Sequence, residues 1–220
     1  MDSNYVVRMI PMVFVAAMAM SSANADCKLP QQIRIVTVNT SPGIPKDSFA
    51  SQPLVMYRAG AQRLRLEEAP DTANGIHQLI VTNWPDSWIV NLVDKTGQYV
   101  KDDDMVPVVH APVITADPSL GVPAAWEKLE YGCEAQFFTE NKAEQIPTEK
   151  HDMIKHSLVD GAWRLTMVTA KDNPRPWMML LSRDGKVTWA IRYTGYVQQD
   201  AADPALFTKP EGVKFTEPLK

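Results

Sequence analysis

Between positions 54 and 101 the chain sets down apolar and polar side chains in short alternating runs, separated by turn-forming residues. In Arg63-Leu64-Arg65-Leu66-Glu67 the alternation has a period of two, which sends both leucines to one side of a strand and the charges to the other. In Ser87-Trp88-Ile89-Val90-Asn91-Leu92-Val93-Asp94 one face carries Trp88, Val90 and Leu92 and the other Ile89, Asn91 and Val93. A strand that is apolar on both sides predicts a core against one face and either a covering element or an apolar cavity against the other. The same reasoning predicts strands over Gln31 to Asn39, Leu54 to Arg58 and Ile76 to Asn83, with a corner at Trp84-Pro85-Asp86, where proline removes a ladder donor. After Thr96-Gly97, Gln98 to Lys101 reads as one more strand.

From Asp102 to Pro123 the pattern changes. Pro107, Pro112 and Pro118 exclude regular helix or central strand, while Val106, Val108, Val109, Val113 and Ile114 predict an ordered loop packed across the sheet. Pro123 to about Asn141 is the one helical pattern: Trp126, Leu129, Cys133 and Phe137 recur as a single stripe, with Glu127, Glu130, Glu134 and Glu140 mainly on other faces. Gly132 weakens its middle by about 1 kcal/mol relative to alanine and is a point where the helix can divide. Strands resume over His151 to Val159, Trp163 to Ala170, Trp177 to Leu181 and Val187 to Tyr196, with Asp172 to Pro176 read as a loop. Asp184-Gly185 predicts a type I′ turn between the last two strands, and Val213 to Thr216 an edge strand.

The first 25 residues lie outside this pattern. Arg8, the apolar run Met9 to Met20 and Ala23-Asn24-Ala25 are the parts of a signal peptide cleaved after Ala25. A membrane helix needs about 20 apolar residues, and this run is shorter and contains Pro11. The expectation is a periplasmic protein whose mature chain, residues 26–220, forms one domain with no membrane span. Export makes a disulfide between the two cysteines, Cys27 and Cys133, the expected state. A net charge of −4 gives no basic footprint, so nucleic acid is not an expected partner.

Motifs for chemistry are sparse. His151 and His156 point to opposite faces of a strand and lie about 140° apart on a helix, so neither geometry brings both to one metal ion. His77 and His110 have no ligand-spaced neighbours, and no serine sits in a Gly-x-Ser-x-Gly turn. Neither a catalytic residue nor a cofactor is expected. What stands out instead is the load of tryptophan and methionine on strand faces, suited to an irregular apolar ligand. The expected lining is Leu64 and Leu66, then Trp88, Val90 and Leu92, then Trp177 and Met179 facing Trp189 and Ile191.

Three groups of residues carry a family resemblance. They are Tyr57-Arg58-Ala59-Gly60 followed by Arg63-x-Arg65-x-Glu67; the Pro-Asp corner with Trp88-Ile89-Val90-Asn91-Leu92; and the Asp184-Gly185 hairpin running to Arg192-Tyr193-x-x-Tyr196, with Phe207 and Pro210-x-Gly212-Val213 beyond it. Together they resemble the periplasmic half-barrel family typified by the lipoprotein carrier LolA and its receptor LolB. The resemblance implies an α+β fold, a curved antiparallel sheet wrapped around one or two helices, binding a hydrophobic small molecule or a lipoprotein acyl chain in its concavity. The alternative expectation is an envelope protein–protein interaction module with a filled core and no ligand.

Overall fold

The computed structural model describes residues 31–102, 121–149 and 152–216. The signal segment, Cys27, His110, His151 and nearly all of the proline-spaced stretch lie outside the described residues. The alternating runs become β1 (Gln32–Asn39), β2 (Pro53–Ala59), β3 (Arg63–Glu68), β4 (Gln78–Asn83), β5 (Asp86–Asn91) and β6 (Thr96–Lys101). The only α-helix among the described residues, α1 (Glu134–Glu140), leads to β7 (Glu144–Pro147), β8 (Met153–Asp160), β9 (Trp163–Ala170), β10 (Asn173–Arg183), β11 (Lys186–Gln199) and β12 (Lys214–Thr216).

These twelve strands form one sheet in the order β12-β6-β5-β4-β3-β2-β1-β11-β10-β9-β8-β7. Neighbours are antiparallel except β12, which runs parallel to β6. The expected half-barrel wrapped around helices is therefore corrected to a large open mixed sheet, ending at β12 on one side and β7 on the other, with a single short α-helix among the described residues. The helical pattern over 123–141 breaks at Gly132, whose φ of 91° no helix admits. A 3-10 turn, Ala124–Lys128, and the seven residues of α1 are what remain, too little for a sheet to wrap around.

The sheet buries different faces along its width. Ile33, Ile35, Met56, Leu64, Met179, Leu181 and Ile191 lie on the side covered by Trp126, Leu129, Phe137 and Phe138; this is the helix face. On β4 the phase reverses. Leu64 pairs with Thr82 and Leu66 with Ile80, so Leu79 and Val81 point to the far face. There they pack with Trp88 and Val90, and Leu92, Tyr99, Val213 and Phe215 close the cluster. The C-terminal leg makes this second core possible. Its 3-10 turn Pro204–Phe207 lies against β3 and β4, with Phe207 buried and the Arg63 guanidinium 5.9 Å above its ring.

Gly97 is where this leg comes closest. A Cβ there would stand 2.7 Å from the Ile89 carbonyl and 3.1 Å from both Phe215 and Val90. Gly97→Ala is expected to cost about 1–3 kcal/mol, because the new Cβ forces β6 off the Ile89 carbonyl of β5 and presses on Phe215 of β12, read as a lower urea midpoint with an unchanged slope. Among the described residues no helix is long and apolar enough to cross a membrane.

Candidate functional site

The side chains expected to line one cavity do not converge. Leu64, Met179 and Ile191 are buried in the helix-face core, with Leu66 and Trp189 packed at its margin. Trp88 and Val90 belong to the far-face core, with Leu92 at its edge. Trp177 belongs to neither: it is the extra residue between Pro176 and Met178 where β10 shifts register against β9, and it is 46% exposed. Cys133 is buried beside α1, and no free thiol occurs among the described residues. Because Cys27 lies outside them, its pairing with Cys133 is a proposal.

The most unusual chemistry in the protein lies where α1 meets the sheet. Glu134 is fully buried on the first residue of the helix. Its Oε2 accepts the Gly132 N–H at 3.0 Å, and Tyr193 Oη lies 2.9 Å from its Oε1. Tyr196 Oη approaches Oε2 at 3.5 Å. Tyr193 and Tyr196 are three apart and would face opposite ways on a regular strand. A register shift makes them neighbours: Val36 pairs with Gly195 and Thr37 with Tyr193, leaving Thr194 as the extra residue of a bulge in β11.

Burial raises the Glu134 pKa, against the smaller lowering influence of its backbone and Tyr193 hydrogen bonds and of Arg58. The same burial, with the carboxylate close by, pushes the Tyr193 and Tyr196 phenols up. Tyr193 Oη is within donating distance of two acceptors, Glu134 Oε1 at 2.9 Å and Met179 Sδ at 3.2 Å. Tyr131, whose hydroxyl is buried without a hydrogen bond of ordinary geometry, stacks edge-on against Tyr193 at 6.3 Å. Arg58 closes the cluster from β2. Its side chain is 3% exposed, donates to the Tyr131 carbonyl at 2.9 Å and forms an ion pair with Glu130.

A group whose folded-state pKa is raised stabilises the fold at low pH and loses that contribution as pH rises. Below the ordinary carboxylate range both states hold the proton. Above it the unfolded chain ionises while buried Glu134 resists, so stability falls by up to about 1.4 kcal/mol per pH unit until the folded-state pKa is passed. Glu134→Gln is expected to remove this fall, so that urea midpoints of the two proteins diverge from pH 5 to pH 7. Parallel curves would show Glu134 ionised in the fold.

Two shallow depressions flank α1. One, of about 180 Å³, is lined by Gly132, Cys133, Gln136, Arg175, Tyr196 and Gln198. The other, of about 340 Å³, lies past Pro174 and includes Gln145, Thr169, Asn173 and His156. Burial lowers the His156 pKa, and its Nε2 sits 3.0 Å from Thr169 Oγ1. Among the described residues no three His, Cys, Asp or Glu side chains are placed to hold a metal ion. Glu134 Oε2 accepts the Gly132 N–H and its Oε1 lies against Tyr193 Oη, contacts that tie the first residue of α1 to the sheet.

Sequence reasoning missed Glu134, because a continuous helix would have turned it away from the stripe. The sequence pattern gives Arg58, Tyr193 and Tyr196 places in strands and in the resemblance but no role in a site. No family model matches the chain, and no curated protein matches it. Among solved structures it is similar to an uncharacterized conserved protein from Thermus thermophilus, at 11% identity over 86% of this chain and 92% of that one, with a TM-score of 0.47.

Proposed function

We propose that this is an exported, non-catalytic protein of the periplasm that works by contact with another protein. The observation that carries the reading is the disposition of its apolar side chains. All of those expected to line a ligand cavity except Trp177 are spent in two separate cores on opposite faces of the sheet, while Trp177 is left at the surface with Val159, Val187 and Val197. A polar network with Glu134 at its centre locks α1 in place, which suits a rigid platform rather than a container. The LolA/LolB resemblance supports the periplasmic placement and rests on sequence motifs.

Formaldehyde cross-linking in intact cells, followed by purification of the full chain, tests this. The expected result is one recurring protein adduct, with native mass spectrometry giving the bare mass of a chain that begins at Asp26. A co-purifying lipid together with saturable displacement of a fluorescent fatty acid would overturn the reading in favour of a hydrophobic carrier.

A further inference from the structure

The far face of β1 and β8–β11 has an unusual charge pattern. Strand register places Arg34, Lys155, Arg164 and Arg192 on it, and every other strand position of that face in these five strands is apolar or uncharged. None is Asp or Glu, in a chain that carries 26 acidic residues against 22 basic ones. Between the cations stand exposed valines: Val159 at 58%, Val197 at 48% and Val187 at 39%. Val159 and Val187 stand in one row across Arg164 and Ser182, and Met178, partly buried, pairs with Arg192 across β10 and β11.

We infer that this face docks an acidic, apolar surface of a partner protein, an inference that rests on the interaction reading above. Charge complementarity selects the partner: these five strands present four cations and no acid, with Glu144 of β7 at one margin and Glu67 of β3, paired with Arg65, at the other, and the net positive charge repels a basic surface and attracts carboxylates. Three of the four are arginines, whose planar forks pair with carboxylates through two parallel hydrogen bonds. Arg164 is already held by a hydrogen bond to Ser157 at 3.0 Å, so part of its ordering cost is met before binding. The Arg164 and Arg34 guanidinium groups lie along this face against Ser157 Oγ and Tyr57 Oη, where carboxylates of a folded protein surface can reach them beside the valines.

The test uses the full chain in intact cells, with the photo-cross-linker p-benzoylphenylalanine replacing Val187 on this face or Val93 in the turn after β5. A protein adduct at Val187, captured through a segment in which Asp or Glu alternates with apolar residues, is the expected result. Its yield falls by about tenfold when Arg164 and Arg192 are both changed to Gln, and circular dichroism shows the sheet intact. An adduct at Val93 alone overturns the face and leaves the interaction reading standing. An adduct at Val187 through a basic segment, or one indifferent to the glutamines, overturns the charge argument. Absence of protein adducts at both positions overturns the face and the interaction reading together, and binding of the purified chain to phosphatidylglycerol vesicles would then assign the face to lipid.

Discussion

Arg58→Ala is expected to destabilise the protein by about 3 kcal/mol, among the largest single losses available outside the apolar core. The guanidinium is 3% exposed and satisfies the buried Tyr131 carbonyl as well as Glu130. Removing it leaves that carbonyl without its donor. The cost stays near the low end for a broken buried pair because the Glu130 side chain is 22% exposed and can rehydrate. Glu130→Ala tests the other half: it strands a buried cation that retains only the Tyr131 and Gly60 carbonyls. The double variant should therefore lose at least about 1 kcal/mol less than the sum of the singles, measured from urea midpoints. Additive losses would mean that the pair is rehydrated in solution and contributes nothing.

Arg58 also acts on Glu134, as one of the influences that lower its raised pKa. In Arg58→Ala that influence is gone, so the pH-dependent fall in stability extends to higher pH than in the parent chain. Arg58 on β2 thus tunes an acid on the helix itself, and through the Tyr131 carbonyl and Glu130 it holds the segment before the helix to the sheet.

How much of this was legible follows from the range of each interaction. The Asp184-Gly185 hairpin was readable because turn chemistry is local; both residues have positive φ, 50° and 76°, as a type I′ turn requires. The strands were readable from alternation, though β10 begins at Asn173, inside the expected loop, because Pro174 and Pro176 are taken up by register shifts. The place of β1 between β2 and β11 was not readable, since its pairing with β11 joins segments more than 150 positions apart and no local pattern records it. The change of buried face at β4 was half visible, in a β5 run apolar on both sides. A cavity and a second core write the same pattern there, and only the C-terminal leg, arriving from a distance, decides between them. Glu134, Tyr193 and Tyr196 were hidden for a shared reason. Each sits beside a phase break, Gly132 before the helix and Thr194 within β11, and periodicity loses its count at such a break.

Phe138→Ala joins these threads and is expected to cost about 3–5 kcal/mol. The ring is 1% exposed and packs edge-on against Phe137 at 5.8 Å and His156 at 6.5 Å. The expected damage goes beyond a cavity, because α1 has seven residues and a helix that short has no stability apart from its packing. With Phe138 truncated, α1 should undock locally before the sheet unfolds, seen as loss of hydrogen-exchange protection over 134–140 while β9 and β10 stay protected. Undocking admits water to Glu134, whose pKa then returns toward the ordinary carboxylate range. The variant is thus expected to lose stability and pH dependence at once, resembling Glu134→Gln in its flat profile but not in its midpoint. A destabilised variant that kept the full pH dependence would show that Glu134 stays buried without its helix contact, and that the acid is held by the tyrosines and the Gly132 turn alone.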